Sequence, residues 1–170
     1  LGQQITMKSS RSGELQRRIS AFAKYRKILK SNIPICLKRK IYHGCIEPVI
    51  TYGSQVWALN KRLVSKLRTT QRSMERAIIG VTKRDHLTNK KVRELSGTND
   101  IISTIKKLKW SWAGHIARMK DNRWTQRTTE WIPIGQKRER ARPMTIWDDE
   151  IIKFMGVTWI RKSQDRKLWK

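Results

Sequence analysis

Asn60–Gly80, NKRLVSKLRTTQRSMERAIIG, is the stretch that decides the fold. Leu63, Leu67, Met74 and Ile78 recur at the spacing of one helical face before the run closes near Gly80. An amphipathic helix of this kind has an apolar stripe that must be covered by other elements. Toward the N-terminus the same period returns. Leu15, Ile19, Phe22 and Leu29 form a stripe after Ser12, the expected N-cap, while Arg17, Arg18, Lys24, Arg26 and Lys27 fall largely elsewhere around the axis. Ser31, Asn32 and Pro34 break that helix, because proline disfavours the helical conformation in the residue before it. Between the two, Leu37, Ile41, Cys45, Val49, Tyr52 and Val56 are spaced three or four apart with Pro48 inside the run. This predicts a long helix kinked near Glu47, since Pro48 cannot donate to the carbonyl four residues back. Three amphipathic helices joined by short turns make a helical bundle, and the fold class read from the pattern is all-α.

Beyond Val81 the character changes to Lys83, Arg84, Asp85 and His86, a subdomain boundary. Thr88 and Gly97 bracket a short helix. Thr98, Asn99 and Asp100 then offer caps for a longer one bearing Ile101, Ile105, Leu108, Trp112, Ile116 and Met119. The pair has a helix-turn-helix outline. Residues 122–143 lack periodicity, hold Gly135 and two prolines, and crowd Lys137, Arg138, Arg140 and Arg142 together, which predicts an extended basic linker. Thr145 and Asp148 approximate a capping box for a helix ending at Gly156, and Thr158 is placed to cap one last helix bearing Trp159, Ile160, Leu168 and Trp169. The expected organisation is therefore a three-helix bundle over 9–82, a helix-turn-helix-like pair over 83–121, the linker over 122–143 and C-terminal helices over 144–170.

Charge points to the partner. The chain has 39 Lys and Arg against 13 Asp and Glu, a formal net charge of +26. A compact body with that charge repels itself in water, and a polyanion relieves the repulsion. Nucleic acid is the commonest such partner, because each neutralised phosphate releases counterions without any reading of sequence. The 38% hydrophobic content is low, yet eight tryptophans supply large apolar area where they are buried. Cys36 and Cys45 make neither a disulfide framework nor a C-x-x-C zinc spacing, which favours a reducing, intracellular setting. No apolar run approaches the ~20 residues that cross a bilayer, so neither a membrane nor secretion is expected.

Several chemistries find no foothold. Metal-dependent phosphoryl chemistry needs converging carboxylates, but the one acidic run, Asp148, Asp149 and Glu150, falls in a first helical turn. There acids meet the helix dipole, and adjacent residues point apart. His43, His86 and His115 are far apart in sequence, and there is neither a Gly-rich phosphate loop nor a G-x-S-x-G elbow. No catalytic residue, metal, cofactor or small-molecule substrate is expected for this stretch.

The positive constellation is cations interleaved with aromatics: Lys106, Lys107, Lys109 and Trp110, then Arg118, Lys120, Arg123 and Trp124. Lysine and arginine track phosphates while an exposed aromatic stacks on a base. Trp112 shares the apolar stripe and reads as core. Trp110 lies off it beside Ala113, Gly114 and Ala117, small residues that admit another helix closely, so packing and binding both stay open. Arg140-Ala141-Arg142-Pro143 is similar to the Arg-Gly-Arg-Pro of minor-groove hooks, with a plain solvated linker as the alternative. The residues expected on nucleic acid are thus Arg17, Arg18, Lys24 and Lys27, then Lys106, Lys107, Lys109, Trp110, Arg118 and Arg123, and Arg138, Arg140 and Arg142 in the linker.

Five stretches taken together, LGQQIT at 1–6, EPVITYGSQVWAL at 47–59, LKWSWAGHIARMKDNRW at 108–124, RARPMTIWDDEI at 140–151 and SQDRKLW at 163–169, resemble the C-terminal part of non-LTR retrotransposon reverse transcriptases. The likeness is greatest to RTE-like or BovB-like endonuclease-reverse transcriptases. It implies a remnant of the last palm strand over 1–8, a helical thumb up to Gly80 and a basic tail. It also implies that the polymerase and endonuclease carboxylates, with their Mg ions, lie in an upstream part of the parent enzyme. A start at Leu1 rather than Met agrees with a chain entered in mid-domain. The expected partners are RNA, DNA or their hybrid, together with the palm, in nucleus and cytoplasm. Ala141 stands where the family's linker carries glycine, and the Cys-rich knuckle of some relatives has no counterpart. Two other readings stand beside this one: a stand-alone helix-turn-helix module with Asp100–Met119 as recognition helix, and a tryptophan-rich interaction scaffold.

Overall fold

The computed structural model describes residues 11–119, 124–125 and 147–169, and among them every regular element is helical, as the all-α reading requires. The chain divides into two compact units: residues up to Ser54 with Asn60–Lys106, and Gln55–Leu59 with the residues from Lys107 onward. α1 (Arg11–Lys30), α2 (Ile35–Ile41), α3 (Glu47–Thr51), α4 (Lys61–Ile79) and α5 (Asn89–Ser96) belong to the first unit. α6 (Ile101–Ala117) begins there and continues into the second, which also holds α7 (Asp149–Met155), α8 (Trp159–Lys162) and α9 (Arg166–Trp169).

α4 organises the first unit, packing against α1, α2 and α5. Asn60 caps it by accepting from the Leu63 N–H, and Leu63, Leu67, Met74 and Ile78 are buried as their spacing demands. Two polar residues, Gln71 and Glu75, are buried in the same stripe. Gln71 Nε2 donates to the Asn99 carbonyl at 2.5 Å, and its Oε1 accepts from the Ile101 N–H at 3.2 Å. It thereby satisfies a donor that the start of α6 would otherwise leave unpaired. The Thr98 hydroxyl donates to Glu75 Oε1 at 2.9 Å, while Arg72 pairs with Oε2. The turn between α5 and α6 is thus bonded to the centre of α4. Gly97 begins that turn with φ +62°, and a Cβ there would lie 2.8 Å from Arg39 Nε. Arg39 approaches this closely because it donates to the carbonyls of Ser96, at 2.6 Å, and Leu95, at 2.7 Å, which end α5.

Several expected details are corrected. Ser12 lies inside α1 instead of capping it. In α1 the buried positions include Leu15, Arg18 and Leu29, so an arginine occupies the inward stripe. In the second segment the inward face is displaced by one residue: Leu37, Cys45, Tyr52 and Val56 are exposed, and Lys38, Tyr42, Ile46 and Ile50 are buried. Both series have helical spacing, and the one carrying the larger Tyr42 and Ile46 wins the core. Where a kink near Glu47 is expected, the segment holds a π turn over Tyr42–Ile46, in which the Glu47 N–H reaches back five residues to the Tyr42 carbonyl. Such a turn offsets the bonding register just ahead of a residue that has no N–H to give. The expected last helix is two, α8 and α9, and Thr158 makes no side-chain cap bond. Asp165 accepts from the N–H groups of Lys167 and Leu168 and starts α9 anew. Thr145 lies outside the described residues.

Burial pushes the Glu75 carboxyl from 4.5 up to about 7, against the Thr98 hydrogen bond, which favours the ionised form. The folded state therefore holds this proton more tightly than the unfolded chain. The stability it contributes is complete below pH 4.5 and is lost as pH rises through 7. At ~1.4 kcal/mol per unit, the loss is about 3 kcal/mol. Glu75→Gln, which mimics the protonated acid, should remain free of that loss. In urea unfolding at a series of pH values, the stability of wild type relative to Glu75→Gln is expected to fall across this window. A constant difference would mean that Arg72 keeps the carboxylate charged throughout.

Candidate nucleic-acid interface

The second unit is built on small residues. Ala113 and Ala117 of α6 are buried with Ile151 and Trp159, and Trp110, Trp147, Ile152, Met155, Ile160 and Trp169 pack against them. Gly114 sets how closely the last helix approaches α6: a Cβ there would lie 2.7 Å from Trp169 Cδ1 and 2.9 Å from Arg118 Nη1. Trp169 uses its indole N–H on the Trp110 carbonyl at 2.9 Å, and the two rings meet at 5.1 Å, tilted by 48°. Arg118 Nη1 donates to the Ser163 carbonyl at 2.7 Å, and Gln164 Nε2 donates to the Ala117 carbonyl at 2.8 Å. These bonds satisfy carbonyls that the ends of α8 and α6 leave unpaired.

The result is a half-open groove of about 370 Å³ lined by Lys107, Trp110, Ser111, Arg118, Arg166 and Trp169. Three cations and two indoles thus share one concavity, the combination that holds phosphates and stacks bases. Lys107, Trp110 and Arg118 are sequence-predicted residues that the fold brings together here. Ser111, Arg166 and Trp169 were missed, although Arg166 and Trp169 sit three apart on α9 and so share a face.

The other expected residues divide. Arg17, Lys24 and Lys27 are exposed on α1, and Lys106 is exposed on α6. Arg18 is only 5% exposed; its guanidinium donates to the carbonyls of Val49 and Tyr52 and lies 5.6 Å from the Tyr52 ring centroid. Lys109, 3% exposed, ion-pairs with Glu150 at 3.4 Å beneath the Trp147 ring. Burial lowers the Lys109 pKa, and Glu150 opposes the shift. Arg18 and Lys109 are therefore corrections: both occupy inward positions of their helices, where a cation needs an internal acceptor. Glu150 acquires a charge partner beyond its place in the first turn of α7. Trp110, not Trp112, joins the tryptophan cluster; Trp112 is half-buried and meets the His115 ring at 5.6 Å. Arg123, Arg138, Arg140 and Arg142 lie outside the described residues. Among the described residues no group of three or more His, Cys, Asp or Glu is placed to hold a metal ion, and no helix is long and apolar enough to cross a membrane.

Fold and groove define a strongly basic all-α protein with a cationic, tryptophan-lined cleft. A transposon-derived, uncharacterized protein of Caenorhabditis elegans is 33% identical to it over 187 aligned positions, covering 99% of this chain and 67% of the relative. The chain belongs to the same family of transposon-derived proteins. No family model and no solved structure matches it.

Gly114→Ala tests the packing that forms the groove. Overpacking costs about 1 to 3 kcal/mol, offset in part by the ~1 kcal/mol that alanine gains over glycine in a helix. A net loss of up to about 2 kcal/mol is expected in urea unfolding, with a red shift of tryptophan emission as Trp169 is displaced. Unchanged stability and emission would show that Trp169 does not need this close approach.

Proposed function

We propose that this chain is a non-catalytic, nucleic-acid-binding part of the RNA-directed DNA polymerase of a non-LTR retrotransposon, its first unit acting as a thumb-like grip on template-primer duplex. In this reading the second unit holds template RNA or target DNA, the palm of the parent enzyme is its neighbour, and the work is done in nucleus and cytoplasm. The observation that carries the proposal is the disposition of charge: α1 presents Arg17, Lys24 and Lys27 to solvent, and the second unit gathers Lys107, Arg118 and Arg166 around two indoles. The transposon-derived relative supports the element of origin. The five motif stretches support the polymerase assignment. Such cations neutralise phosphates and confer affinity without sequence choice.

The helix-turn-helix reading loses its main support. Ile101, Ile102 and Ile105 at the start of α6 are buried, and the Ile101 N–H is taken by Gln71. A recognition helix must offer that end to base edges.

Binding to duplex DNA should fall with a log-log salt slope of about −0.9 per phosphate neutralised. The double substitution Lys24→Ala/Lys27→Ala should reduce the slope by up to about 2 and weaken all sequences alike. Titrations of a labelled 20-base-pair duplex at several salt concentrations measure both. Salt-insensitive affinity, or a loss confined to one sequence, would refute the proposal.

A further inference from the structure

We propose that the groove of the second unit seats an unpaired nucleotide of a single strand, its base against Trp110 and Trp169 and its phosphates against Lys107 and Arg166. The inference deepens the nucleic-acid reading and rests on it. Four features of the groove point the same way.

The first is charge. Among the described residues neither Lys107 nor Arg166 has a hydrogen-bond or ion-pair partner, in contrast to Lys109 two positions from Lys107, which Glu150 neutralises. Asp165, the acid next to Arg166, is committed to the backbone at the start of α9. Among the described residues that line it, the groove therefore carries net positive charge and no anion. The second is the indoles. Trp169 has given its N–H to Trp110 and packs against the Trp110 and Trp159 rings at 5.1 and 6.1 Å, so what it leaves to the groove it lines is ring surface. A ring face recognises another π face and is indifferent to which base supplies it. The third is shape. A concavity of about 370 Å³ is in the size range of sites for single small ligands. The side of a duplex is convex and keeps its base faces stacked on one another, so it has no free face for an indole to meet. The fourth is the mixture of chemistries: an acidic peptide would satisfy the cations and leave the indoles unused, whereas a nucleotide uses both. Ser111, exposed on α6 in the same lining, adds a hydroxyl within the groove for a sugar or phosphate oxygen. Arg118, with one N–H fixed on the Ser163 carbonyl, is a positioning residue for the α8–α9 side of the groove.

The experiment uses the whole chain and anisotropy titrations, at one fixed salt concentration, of three labelled probes: oligo(dT), oligo(rU) and a mixed-sequence DNA duplex. Ser111→Leu fills the groove without altering net charge, at an exposed helical position where leucine is a good helix former. It is expected to weaken both single strands by about tenfold, the order of one lost stacked base, and to change duplex binding less than twofold. Lys107→Ala/Arg166→Ala, two exposed sites, should also weaken the single strands more than the duplex. Circular dichroism confirms that each variant keeps its helices. Equal effects on strand and duplex, or no effect of either variant, would overturn the inference while leaving general nucleic-acid binding intact. Failure of the wild type to retain any probe would overturn both. A loss confined to oligo(rU) or to oligo(dT) would support the groove and identify which strand it takes.

Discussion

The first unit depends on two polar side chains placed where its central helix should be apolar. Gln71 and Glu75 lie in the buried stripe of α4, and every polar atom they bring inside has to be matched, since an unmatched buried donor or acceptor costs about 1 to 3 kcal/mol. Arg72 matches one Glu75 oxygen, and the turn ahead of α6 matches the rest through Thr98, Asn99 and the Ile101 N–H. Apolar contacts alone would let that turn slide along α4. A glutamine that both donates and accepts fixes one register, because any displacement breaks two bonds at once. The start of α6 is set there, and the same helix carries Lys107, Trp110 and Ser111 into the groove of the second unit.

A chain with three times as many cations as acids meets a shortage of internal counter-charges. It uses helix ends instead. Arg18 donates to the carbonyls of Val49 and Tyr52 at the end of α3, Arg39 to those of Leu95 and Ser96 at the end of α5, and Arg118 to that of Ser163 at the end of α8. Each of these ends carries unpaired carbonyls and the negative pole of the helix dipole. The arginine fork can reach two carbonyls where a lysine would reach one. Lysine appears inside with a carboxylate partner at Lys109, where Glu150 and the Trp147 face together receive the ammonium. Charge that would otherwise oppose folding thus closes helices, and only the remainder faces solvent.

This division explains how far the sequence could be read. Those helix starts and ends that rest on local bonds were legible: Thr88 caps α5, Gly97 ends it and Asp100 starts α6 through the Ser103 N–H, whereas Ser12 and Thr158 do not cap the helices that their spacing suggests. Which face turns inward was legible for α4, whose leucines leave no rival, and misread for the segment around Tyr42, where two adjacent stripes compete. Arg18 and Lys109 were read as phosphate contacts because charge in a helix usually means a solvated face. Their positions say otherwise: Arg18 follows Leu15 by three, and Lys109 follows Ile105 by four, so both lie on the inward stripes. The groove was half legible. Lys107, Trp110 and Arg118 share one helix, but Arg166 and Trp169 reach them only through tertiary packing on Gly114.

The two basic surfaces differ in kind, and the difference follows from what lies beside the charges. On α1, Lys24 and Lys27 are exposed point charges, and a point charge is suited to any regularly spaced row of phosphates. In the groove the charges flank ring faces, and a ring face gains nothing from a base that is already stacked within a duplex. Among the described side chains neither surface presents a fixed pair of donor and acceptor toward a base edge, the arrangement that direct readout requires. Trp169 makes the point most sharply, for the one hydrogen-bonding group of its indole is turned onto the Trp110 carbonyl and away from any ligand. On the proposed reading, affinity built from such parts would respond to salt and to strandedness, and hardly to sequence.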